Sequence, residues 1–70
     1  MRVQGVVREW DEGEGWGVID SAATPGGCWA HFSSVNVPGY KMLTAGASVT
    51  FVVADGQDGF TYRAEDITPA

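Results

Sequence analysis

Seventy residues with nine carboxylates against Arg2, Arg8, Lys41 and Arg63, a net charge of −5, describe one small acidic domain, and that balance taken alone argues against a polyanionic partner. At this length only about 60% of the unfolded chain's surface can be buried. A single cysteine excludes an intramolecular disulfide, and ten glycines with 44% apolar residues fit a tightly turned all-β barrel better than a helical bundle.

The apolar alternation of Val3, Gly5 and Val7 with Gln4, Val6 and Arg8 predicts a first strand from Arg2 to about Trp10. It ends in the acidic turn Asp11 to Glu14. Residues 16 to 20 pair back as a hairpin. There, alternation sends Trp16 and Val18 to one face and Gly17 and Ile19 to the other. The breaker-rich loop 21 to 27 leads to a third strand, residues 28 to 32, with Trp29 and His31 on one face and Cys28 and Ala30 on the other. Residues 33 to 48 carry Asn36, Pro38, Gly39 and Gly46 with no sustained period, so they form a long connection holding at most one helical turn. A fourth strand over Val49, Phe51 and Val53, a turn at residues 55 to 59 and a fifth strand from Phe60 to Ile67 complete the chain. Val3, Val7, Ile19, Val35, Leu43, Val49, Phe51, Val53 and Ile67 are the expected core.

Two indoles and an imidazole thus line up on one surface over adjacent strands. Open to solvent, they would stack on nucleic-acid bases. Cys28 and His31 point to opposite faces, which argues against a shared metal, and no cofactor is expected. No nucleophile–base pair or phosphate loop appears, so the chain does not read as an enzyme. Met1-Arg2-Val3-Gln4-Gly5 lacks the apolar run of a signal peptide, and the longest apolar stretch, Val49 to Ala54, is too short to span a bilayer, which predicts a cytoplasmic location.

Gly5-Val6-Val7-Arg8, Gly15-Trp16-Gly17-Val18-Ile19 and Cys28-Trp29-Ala30-His31-Phe32-Ser33 together resemble three segments of the bacterial cold-shock proteins, G-x-V-K-W-F, K-G-F-G-F-I and V-F-V-H-F-S. Gly39-Tyr40-Lys41-Met42-Leu43, Gly46 with Val49 and Phe51, and Ala64-Glu65-Asp66-Ile67 extend the likeness over nearly the whole chain. The resemblance implies a five-stranded antiparallel OB-type barrel that binds single-stranded RNA or DNA. It implies base-stacking roles for Trp10, Trp16, Trp29, His31, Phe32 and Tyr40, and a backbone contact for Arg8. Alternation alone would turn Phe32 inward with Ala30; the resemblance turns it outward, and a strand end or bulge permits that.

The chain departs from the family pattern at Glu9 (usually Trp), Glu14 (usually Lys), Val18 (usually Phe) and Gly27 (often Asp). Two rings and one cation are missing. Phe60 and Tyr62, on one side by alternation, are candidates to extend the platform, and Lys41 and Arg63 to meet phosphates beside Arg8. Stacking contributes about 1–3 kcal/mol per base, so three or four rings supply micromolar affinity without a basic surface. The sequence therefore predicts a monomeric single-stranded nucleic-acid binder able to act as an RNA chaperone. The competing reading is an acidic interaction module that docks proline-rich or basic peptides.

Overall fold

The computed structural model describes residues 2–39, 42–56 and 59–70. Five strands, β1 (Arg2–Asp11), β2 (Trp16–Asp20), β3 (Cys28–His31), β4 (Ser48–Asp55) and β5 (Tyr62–Pro69), close into a barrel in the order β1-β2-β3-β5-β4. One strand serves two neighbours. The first half of β1 pairs with β4, from Arg2↔Val52 to Val6↔Ser48, and its second half pairs with β2, from Val6↔Asp20 to Asp11↔Trp16. A register shift between Val7 and Glu9 makes Arg8 the extra residue, and such a bulge increases the local bend and twist of its strand.

Four of the five pairings are antiparallel, but β3 and β5 run parallel through Cys28↔Tyr62 and Trp29↔Arg63. This corrects the purely antiparallel barrel expected from the sequence. The reason is parity: directions that alternate around a closed ring of five strands must leave one like-directed pair. The boundaries move slightly as well. β3 stops at His31, because Phe32–Ser34 forms a 3-10 turn, and β5 begins at Tyr62 rather than Phe60.

The interior is filled by Val7, Ile19, Cys28, Ala30, Val35, Leu43, Val49, Phe51, Ala64 and Ile67, with Val3 and Val53 partly buried against them. On β1 to β4 these are the inward positions of a period-two pattern; on β5 a register shift sets Ala64 and Ile67 three residues apart, and Val35 and Leu43 come from the connection between β3 and β4. Cys28 has no exposed surface, and burial pushes its thiol up to about 11. It therefore packs as a small neutral hydrophobe. On the β1–β4–β5 side, Asp66 takes a left-handed conformation (φ 48°), pairs with Arg2 and accepts a hydrogen bond from Asn36 Nδ2 at 2.8 Å. Asp tolerates this conformation better than bulkier residues do. Arg2 also donates to the Asp66 carbonyl and Thr50 Oγ1, so this arginine ties strands together. Among the described residues no helix is long and apolar enough to cross a membrane, and no group of His, Cys, Asp and Glu could hold a metal ion.

Candidate nucleic-acid interface

The β2–β3 register sets Trp16 opposite His31 and Val18 opposite Trp29, so these four side chains share the outer face while Ile19, Cys28 and Ala30 enter the core. The rings form a continuous file. Phe60 meets Trp16 edge-on at 6.3 Å between centroids, and Trp16 stacks on Trp29 at 6.5 Å with 24° between planes. Trp29 stacks on His31 at 5.5 Å and 14°, and His31 meets Phe32 at 4.5 Å. All four separations lie within or at the short edge of the range in which aromatic pairs attract each other.

These contacts change one expectation. The two indoles of this wall are unequally open to solvent: Trp16 is half-buried and Trp29 is only 9% exposed, although it lies outside the core cluster. Trp29 is shielded on the outer wall by its neighbours in the file. Among the described residues the most exposed ring is Phe32, at 46%. The 3-10 turn that follows His31 resets the strand alternation there and swings Phe32 outward. His31 caps this turn, its Nδ1 accepting the Ser33 N–H at 3.2 Å and lying 2.8 Å from Ser33 Oγ.

Two glycines make this geometry possible. Gly15 has φ 76°, and a Cβ there would come within 2.8 Å of Phe32 Cδ1. Its carbonyl accepts the Phe32 N–H at 2.8 Å, so Phe32 is held by both backbone and ring. At Gly17 a Cβ would meet the Glu9 carbonyl at 2.3 Å and Trp10 Cε3 at 2.6 Å. Close approach of the chain to itself accounts for both positions.

The remaining candidates divide. Trp10 is half-buried and packs against the core; it also lines a groove of about 420 Å³ with Phe32, Gly15, Met42, Glu12 and Glu14. Phe60 joins the ring file from the segment before β5, whereas Tyr62 packs against the core, so the two do not share a face as alternation suggested. Tyr40 and Lys41 lie outside the described residues. Met42, exposed at the groove, is a residue that the sequence reading missed; an apolar side chain in a connection without period carries no signal of its position.

Each arginine has a carboxylate beside it. Arg2 pairs with Asp66, Arg8 with Asp20, and Arg63 with Glu65 at 2.8 Å. The hydrogen bond from Arg8 holds the Asp20 carboxyl below its ordinary value and raises the guanidinium in return. Arg8 donates through Nε to both Asp20 oxygens at 3.0 Å. Among the described residues, each arginine thus has a carboxylate partner at the surface. In the acidic turn, Asp11 Oδ1 accepts the Glu14 N–H at 2.9 Å and the Asp11 carbonyl accepts the Gly15 N–H at 2.8 Å. This carboxylate serves the hairpin that presents Trp16.

Residues 3–69 match the family model for the 'Cold-shock' DNA-binding domain. The cold shock protein ScoF of Streptomyces coelicolor is 38% identical over 66 residues, covering 94% of this chain and 96% of that protein. The cold shock-like protein CspC of Buchnera aphidicola is 36% identical over 58 residues, covering 83% and 84% of the two chains. The cold shock-like protein CspD of Vibrio cholerae is 32% identical over 65 residues, covering 93% of this chain and 83% of that one.

Proposed function

The chain belongs to the cold-shock DNA-binding domain family, and on that premise we propose that it binds single-stranded RNA or DNA by stacking unpaired bases along the outer rings of β2, β3 and the turn that follows. The observation that carries this reading is the unbroken file Phe60, Trp16, Trp29, His31 and Phe32 on one wall of the barrel. Flat faces accept any base, so selectivity among sequences is low, with a lean toward pyrimidines. Phe32 and half-buried Trp16 supply the accessible faces, Trp29 backs them, and Trp10 walls the adjoining groove. Tyr62 belongs to the barrel wall instead.

Binding of this kind draws base-paired RNA toward its open form without nucleotide hydrolysis, because only the unpaired strand offers its faces. The proposed role is a monomeric cytoplasmic RNA chaperone. Titrating tryptophan fluorescence with oligothymidine should give saturable quenching, and a proline-rich peptide should give none. A response to the peptide alone would overturn the assignment. A molecular-beacon RNA hairpin that stays closed at saturating protein would remove the chaperone role while leaving strand binding in place.

A further inference from the structure

Beside the ring file, β2 carries one outward position without a ring. Its outward positions are Trp16 and then Val18, an aliphatic residue with 2% exposure that offers a base nothing to stack on. The β1 partner of Val18 is Glu9, and the residue before that is Arg8, the bulged residue of β1. A Cβ on Gly27 would stand 3.0 Å from Val18 Cγ1, 3.1 Å from Arg8 Nη2 and 3.6 Å from its Cζ. The missing side chain at Gly27 therefore leaves the room in which the guanidinium sits beside the valine.

We propose that the guanidinium of Arg8, fixed in place by Asp20, is a stacking surface for one further nucleobase next to the ring file, and not a clamp for a backbone phosphate. The inference rests on the strand-binding reading above. Three observations carry it. Nε and Nη2, one edge of the fork with which arginine grips a phosphate, are both spent on the Asp20 carboxylate. That carboxylate also cancels the charge that would attract a phosphate. The side chains of Arg8 and Asp20 nevertheless remain 45% and 50% exposed, so the pair is a flat, charge-compensated surface open to solvent. Unpaired bases stack on guanidinium planes as they do on aromatic rings. In this arrangement Asp20 is a positioning residue that acts through Arg8.

The test separates a plane from a charge. Arg8→Lys keeps the cation and removes the plane, while Arg8→Ala removes both; neither side chain fills the core, and thermal unfolding reports whether each variant is folded. With oligothymidine as the probe and salt varied from 50 to 200 mM, both variants should bind at least about fivefold more weakly. The slope of log K against log salt should stay at the wild-type value. Wild-type affinity in Arg8→Lys, or a slope shallower by about 0.7 in Arg8→Ala, would mean a phosphate contact and overturn the inference. If the wild-type chain fails to bind oligothymidine at all, it is the strand-binding reading itself that falls.

Discussion

The ring of Phe32 occupies the space that a side chain on Gly15 would need, with Cδ1 only 2.8 Å from the position of that absent Cβ. The hairpin turn and the most exposed ring of the platform are therefore one unit. Gly15→Ala should lose about 1–2 kcal/mol from the positive φ alone. It should also push Phe32 out of place and weaken oligonucleotide binding. Thermal unfolding and an oligothymidine titration on the same sample check both effects. Wild-type affinity in a folded variant would show that the position of Phe32 does not matter to the ligand.

Phe60 and Tyr62 separate stacking from packing. Phe60 touches Trp16 from a segment outside any strand, so Phe60→Ala should weaken binding by about 1 kcal/mol, the lower end for one ring, and leave the melting temperature nearly unchanged. Tyr62 packs on the core, so Tyr62→Ala should destabilise the barrel instead. The reverse pattern would place the ligand over the β3–β5 side.

Trp29 should be the least accessible indole of the β2–β3 wall. A variant that keeps only Trp29, with Trp10 and Trp16 replaced by Phe, should be quenched by acrylamide less than one that keeps only Trp16. Equal quenching would contradict the closed ring file.

Salt should matter little. Arg2, Arg8 and Arg63 all pair with carboxylates, and each phosphate contact to a single strand contributes about −0.7 to the slope of log K against log salt. A slope no steeper than about −2 is expected, roughly a twentyfold loss or less between 50 and 200 mM. A slope beyond about −5 would require a backbone-gripping mode that these paired arginines do not provide.

Alkaline pH should act through Cys28. Its folded value is raised to about 11 from an ordinary 9.0, so its contribution to stability is complete below pH 9 and is lost as pH climbs from there toward 11, where the folded thiol also ionises. Chemical denaturation at pH 7, 9 and 10.5 should show a smaller decline for Cys28→Ala than for the wild type. Equal declines would mean that the thiol is not the group responsible.

Much of this surface could be read from the chain. Period-two alternation placed Trp16, Val18, Trp29 and His31 together because both strands are regular and meet in plain register. Phe32 could not be placed that way, since a 3-10 turn replaces the strand at that residue; the family motif carried the information that alternation lost. The Arg8–Asp20 pair was hidden because the bulge at Arg8 shifts β1 by one residue against β2, and no spacing in the sequence marks that shift. Alternation puts Tyr62 beside Phe60 only if one strand runs through both, and β5 begins at Tyr62. The shielding of Trp29 depends on rings from two strands lying side by side, a contact between segments that a single-strand pattern cannot express.

The parallel junction of β3 with β5 is only two residue pairs long, Cys28↔Tyr62 and Trp29↔Arg63, and parallel pairing is slightly the weaker kind per residue. This seam should therefore be the first part of the cylinder to open. Trp29 sits on that seam, so a strand lying across the aromatic wall bridges its edge, and occupancy by ligand should slow amide exchange at residues 28–29 and 62–63 more than anywhere else in the wall.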